Sequence, residues 1–249
     1  SLRSVAGAHQ LLRFIQARLG ECVTSFEYIS NTSLQYVLEN IADCVAPLET
    51  VAEHMALIEI SEFDEQYNAT EKFVEVLHDA NQTSLIDAAV LAQSLSQRLS
   101  VWQLRESVPR AEVLLGGSIK HDVSVVISRV ADLVEQASYA VLNICPTARL
   151  SIYGHVGDGN VHFNILAPAA TDPDTFKARY AEEISKSVHE IATSLGGSFS
   201  AEHGVGQLKS EILERTKTPT EMAMMAGIKR VLDPKGLMNP GKIFYTSNP

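Results

Sequence analysis

The chain has 249 residues, 45% hydrophobic and 20% charged, and carries a formal net charge of −10. That length supports one large domain or two small ones, and the composition is that of a globular rather than a disordered chain. The acidic excess argues against non-specific nucleic-acid binding, and no apolar run approaches the ~20 residues that span a bilayer.

Residues 4–19 read as an amphipathic helix stopped by Gly20, and the start lacks the apolar segment of a signal peptide. Residues 21–29 read as a strand. Asn31-Thr32-Ser33 can cap a helix running to about Cys44. A second strand covers 54–60, followed by an acidic loop and a helix over about 70–79. A long helix is expected over about 85–106. Gly116-Gly117 breaks the chain before a strand over 119–126, and a helix then runs to about Cys145. After a hairpin over 152–165, Thr171-Asp172-Pro173-Asp174 opens a helix to about Leu195. Gly196-Gly197 leads into a strand over 198–201. Thr218-Pro219 pairs an N-cap with proline at the first helical position, and that helix ends at Asp233-Pro234-Lys235-Gly236. The alternation favours an α+β fold: an antiparallel sheet covered by helices on one side, ferredoxin-like. Cys22, Cys44 and Cys145 are odd in number and widely spaced, which fits reduced cytoplasmic thiols rather than disulfides or a zinc motif.

The hairpin can be read geometrically. Asp158-Gly159 signals a two-residue type I′ turn. Folding about it pairs 157 with 160, 156 with 161, and 155 with 162. His155 and His162 then stand opposite each other with Cβ atoms about 4.5–5.5 Å apart, close enough to share one divalent cation. Ile152, Gly154, Val156, Val161, Phe163 and Ile165 fall on one face, Tyr153, His155, His162 and Asn164 on the other. Taken alone, such a pair reads more readily as incidental histidines on a surface hairpin. Glu202-His203, in a glycine-bounded loop, adds a carboxylate and a further imidazole.

His155, His162 and Glu202 make a nitrogen–oxygen set with positions to spare, as in catalytic metal sites. Zinc suits it first, with manganese or iron as alternatives. His203 points away from Glu202 in an extended segment and reads as a general base, or as a packing histidine. Asn164 can hydrogen-bond a substrate oxygen, with Tyr153 a weaker candidate. Arg105 and Lys120 can hold a carboxylate, yet their spacing alone reads as solvated surface charge. The chain contains no Gly-x-Gly-x-x-Gly fingerprint, Walker A loop or Gly-x-Ser-x-Gly elbow.

Five segments together resemble the C-terminal, substrate-side part of the FAD-linked oxidases of the vanillyl-alcohol oxidase superfamily, nearest the D-2-hydroxyglutarate and D-lactate dehydrogenases. They are Leu104-Arg105-Glu106-Ser107, the stretch from Gly116 to Val125, Tyr153 to Asn164, Ser200 to Gly206, and Leu232 to Lys242. The resemblance implies a separate N-terminal domain that binds FAD and is absent from this chain. It implies a divalent metal held by His155, His162 and Glu202, and His203 as the acceptor of the substrate hydroxyl proton. It assigns Arg105, Lys120 and Asn164 to the substrate, and Asn239 to a segment against the flavin domain. Pro109 departs from the hydroxyl residue some relatives carry there, and Val125-Val126 replaces a common Val-Pro.

The activity so implied is oxidation of a D-2-hydroxy acid to the 2-oxo acid. Electrons would pass to a quinone or an electron-transfer flavoprotein, in the cytoplasm or in mitochondria. Attachment at a membrane surface and a homodimer are both compatible with it. Two other readings fit the residues without the resemblance: a metal-dependent hydrolase, and a non-catalytic binding module stabilised by metal.

Overall fold

The computed structural model describes residues 1–49, 52–62 and 68–244. They divide into two compact units, Ser1–Phe199 and Ser200–Pro249. The first unit contains strands β1 (Val23–Ser30), β2 (His54–Ile60), β3 (Ser118–Ile119), β4 (Asp122–Ser124), β5 (Arg149–Gly154) and β6 (Asn160–Leu166). They form one antiparallel sheet in the order β2-β1-β5-β6-β3, with β4 also paired to β6. Its helices are α1 (Val5–Leu19), α2 (Asn31–Asn40), α3 (Ala69–Gln82), α4 (Leu95–Glu106), α5 (Val108–Leu114), α6 (Val130–Ile144) and α7 (Pro173–Ser194). Among the described residues no helix is long and apolar enough to cross a membrane.

The expected α+β architecture is present, but both faces of the sheet are covered. Phe26, Tyr28, Ile152, Val161, Phe163 and Ile165 lie on the first face, in one core with residues of α1, α3, α6 and α7. Helix α1 presents Ala8, Leu11, Leu12, Ile15 and Leu19 to it at helical spacing. Ile29, Tyr153 and Leu166 lie on the second face, in a core with Leu34 and Val37 of α2, Leu104 of α4, and Val108 and Ala111 of α5. Hydroxyls dock α2: Ser33 Oγ lies 2.9 Å from both Ser30 Oγ and Ser151 Oγ, all buried. The second face therefore encloses whatever polar side chains alternate along β1, β5 and β6.

Several expected boundaries move for identifiable reasons. Ser30, not the 31–33 triplet, caps α2, and the helix ends at Asn40. The helix expected over 85–106 begins only at Leu95, capped by Ser94. Upstream, the backbone of residues 87 and 88 bonds to Ser1 instead: Asp87 N and Ala88 N donate to Ser1 O and Ser1 Oγ. The strand expected over 119–126 splits at Lys120-His121, because His121 N donates to the Asn164 side chain (3.1 Å) rather than to a neighbouring strand. The alternation survives the break, with Ile119 and Val123 towards the core and Asp122 opposite His162. The strand expected over 198–201 reduces to a single bridge, Ser124 with Ser198. Residues 63–67 of the acidic loop fall outside the described residues.

The hairpin differs most. The observed register pairs Tyr153 with His162 and Ser151 with Asn164, two residues from the type I′ expectation. Residues 156–158 form a 3₁₀ turn, closed by Gly159 at φ +77°. A tertiary contact explains the choice: Val125 N donates to Gly159 O (3.1 Å), and a Cβ on Gly159 would lie 2.0 Å from Val125 O. A slip of two residues keeps every side chain on its expected face.

The second unit contains α8 (Ser210–Thr216) and α9 (Pro219–Leu232). Thr218 and Glu221 form a reciprocal capping box at the start of α9, which begins with the expected proline. Asp233 accepts from Leu237 N and Met238 N (2.9 Å each), fixing the turn that follows.

Gly159→Ala is expected to combine left-handed strain with overpacking against Val125, costing about 2–4 kcal/mol in chemical unfolding. A pH effect arises at the β1–β2 pair. Burial holds the Tyr28 phenol well above its usual pKa and pushes His54 below its ordinary 6.5. Tyr28 therefore donates to His54 Nδ1 at 2.6 Å, which needs neutral imidazole. Stability from this pair is fully present above pH about 6.5 and is lost as pH falls through the lowered folded-state value. Replacing His54 by Asn should flatten the decline in melting temperature between pH 7 and 5.

Candidate functional site

The candidate site on the first unit grows from the second face of the sheet. Strand β1 puts Glu27 there, between Ser25 and Ile29. Strand β5 contributes Tyr153, and β6 contributes His162 and Asn164, whose pairing sets them in rows. His155 follows β5 at the mouth of the hairpin, its side chain 39% exposed. Helices α4 and α5 bring Arg105 and Glu112 against the same face, both buried.

Glu27 is the hub of this arrangement. It is 1% exposed. Its Oε2 accepts from Arg105 Nε at 2.7 Å, and its Oε1 pairs with His155 Nδ1 at 2.5 Å. The Arg105 guanidinium also lies over the Tyr153 ring, Cζ 4.8 Å from its centroid. The Tyr153 and His162 rings are 4.9 Å apart, and the His155 and His162 rings 5.9 Å apart and edge-to-face. Asp122 Oδ1, also buried, is 3.8 Å from His162 Nδ1. The expected neighbourhood of the two histidines thus exists, although they do not face each other across the strands. Two imidazoles with a nearby carboxylate offer the nitrogen–oxygen chemistry that zinc and related divalent cations bind.

Asn164 is 3% exposed and fully engaged. Its Nδ2 donates to both oxygens of Glu112 (3.1 Å) and, more distantly, to Tyr153 Oη (3.4 Å), while Oδ1 accepts from His121 N. Ser118 Oγ completes the Glu112 carboxylate at 2.9 Å. Lys120 is exposed, as its spacing suggested. Arg105 is the opposite case: the surface reading of its spacing is corrected by burial and by its ion pair with Glu27.

In the second unit, Glu202 and His203 are adjacent and partly exposed, with His203 Nε2 3.6 Å from Glu202 Oε1. Ser200 Oγ donates to Gly204 O and accepts from Lys209 Nζ, which ties the loop that carries them. Asn239 is exposed at φ +47°, and its carbonyl accepts from Lys242 N.

Glu27 and Glu112 were not singled out from the sequence. The one available signal for Glu27 was an acidic residue in an otherwise uncharged strand. Its partners lie 78 and 128 residues away, beyond any local pattern.

Comparison with known proteins gives concordant results. The family described as FAD linked oxidases, C-terminal domain, matches residues 1–243. A D-2-hydroxyglutarate dehydrogenase of Stutzerimonas stutzeri (strain A1501) is 36% identical over 222 residues, 89% of this chain and 47% of that protein. The mitochondrial D-2-hydroxyglutarate dehydrogenases of Arabidopsis thaliana and Danio rerio are each 32% identical, over 94% of this chain and 40% and 42% of theirs. The chain spans about half the length of the curated relatives it matches. This chain belongs to the C-terminal domain family of the FAD-linked oxidases.

Proposed function

We propose that this chain is the substrate-side part of a flavin-dependent D-2-hydroxy acid dehydrogenase, with D-2-hydroxyglutarate as the first substrate to test. The observation that carries this reading is the pairing, on one sheet face, of a candidate metal-binding imidazole couple with a buried arginine. Membership of the FAD-linked oxidases and the names of the relatives support it.

In this reading His155, His162 and Glu202 hold a divalent cation, zinc by preference for the donor set. When bound, that cation supplies Lewis acidity that lowers the α-hydroxyl pKa, and the flavin supplies a hydride acceptor. Arg105 and Lys120 hold the substrate carboxylate and so fix which face of C2 is presented. Arg105 is well placed for this because packing and Glu27 restrict its rotamers. His203 takes the hydroxyl proton. Asn164 is our candidate for a further substrate contact, its amide being oriented by Glu112 and the His121 backbone. Asn239 is our candidate for a flavin contact.

The full-length protein should show flavin bleaching when mixed anaerobically with D-2-hydroxyglutarate, and none with the L-enantiomer. Absence of flavin and of bleaching with any D-2-hydroxy acid would rule the reading out. His203→Ala should abolish turnover while metal content stays unchanged, and His162→Ala should lose both. Lys120→Met, at an exposed position, should leave folding intact and raise KM roughly 10- to 100-fold, the effect of one charge-assisted hydrogen bond.

A further inference from the structure

Glu27 joins two groups that the proposed chemistry uses separately. Its Oε1 pairs with His155 and, more distantly, accepts from Ser25 Oγ (3.5 Å), while its Oε2 accepts from Arg105. We propose that Glu27 is a positioning residue that fixes the tautomer of the metal ligand His155 and the donor edge of the substrate-binding Arg105. This inference rests on the functional reading above and adds to it a residue that touches neither substrate nor metal.

Consider His155 first. A buried carboxylate only accepts hydrogen bonds, so the imidazole must carry its proton on Nδ1. The lone pair then resides on Nε2, the atom that would ligate a cation. Carboxylates in this relation to a ligand histidine orient the ring and raise its basicity. The contact is short, 2.5 Å, and on the carboxylate's side it is shut off from water, with Glu27 1% exposed.

Arg105 follows the same logic. A guanidinium offers a carboxylate two forks, one through Nε and one through the paired Nη atoms. Nε is committed to Glu27. Among the described residues the Nη atoms make no hydrogen bond, and the Tyr153 ring packs on the guanidinium. The Nη edge is therefore the one available to a substrate carboxylate. Both effects originate in one residue, so metal affinity and substrate affinity should change together when Glu27 is altered.

Glu27→Gln tests this in the full-length protein. An amide cannot accept at both of its ends, so one of the two partners loses its acceptor. The probe is Zn²⁺, titrated into metal-stripped protein against a chromophoric chelator. The nitrogen-15 imidazole spectrum is recorded in parallel, with the His155 signal assigned by its loss in His155→Ala. Wild type should show Nδ1–H at His155. Glu27→Gln should weaken Zn²⁺ binding 10- to 100-fold and raise KM for D-2-hydroxyglutarate at saturating metal more than it lowers kcat. Glu27→Asp, which keeps the charge, should recover part of the metal affinity.

Nε2–H at His155 in wild type, or unchanged Zn²⁺ affinity in folded Glu27→Gln, overturns the role of Glu27. The wild-type spectrum decides the matter if the variant fails to fold. The two proposals fail differently. Loss of Zn²⁺ affinity in His155→Ala together with an Nε2–H tautomer removes the Glu27 role alone. Unchanged Zn²⁺ affinity in His155→Ala removes the metal site itself.

Discussion

A buried carboxylate that must satisfy both of its oxygens is the constraint around which the first unit is arranged. Glu27 sits on β1, flanked by β2 and β5 and covered by helices on both sides of the sheet. An ionised group there is tolerated only with hydrogen-bonded, charged or dipolar partners. Arg105 supplies the charge from α4, and His155 supplies the second donor from the end of β5. Removing a partner from a pair like Glu27–Arg105 typically costs about 3–5 kcal/mol, which makes the placement of α4 as much an electrostatic matter as a hydrophobic one. Glu112, on α5, is satisfied differently, its oxygens accepting from the neutral donors Asn164 and Ser118.

The two-sided covering of the sheet gives this constraint its force. On the first face the alternating residues are mostly apolar, and packing dominates apart from the hydrogen bond between Tyr28 and His54. On the second face apolar positions such as Ile29 and Leu166 are interleaved with Glu27, Ser151, His162 and Asn164. Helices α2, α4 and α5 shelter that face and at the same time supply its polar partners. A face left to solvent would have screened these groups and blurred their geometry.

The sequence allowed the alternation to be read but not the partners. The faces of the histidine hairpin follow from period-two patterning, and they survive because the register slips by an even number of residues. The turn itself departs from the local signal, since the Asp-Gly preference yields to the contact between Gly159 and Val125. Helix α9 was legible because Thr218, Pro219 and Glu221 encode its start locally. The long helix over 85–106 was not, because residues 87 and 88 bond to Ser1. Arg105 illustrates the limit most clearly. Nothing within its own helix distinguishes it from a solvated charge, and its burial is decided by an acidic residue 78 positions earlier.

The position of Glu27 also bears on how the chain acquires its structure. Strands β1 and β2 are separated by residues 31–53, which include α2, so their pairing closes a much smaller loop. The hydrogen bonds that Glu27 accepts from Arg105 and His155 close loops of 78 and 128 residues. Closure entropy grows with such separations, and topologies dominated by them fold slowly. During synthesis Glu27 emerges long before the arginine and much longer before the histidine. Burying β1 before those partners exist would cost the desolvation of an acid whose distant partners are missing.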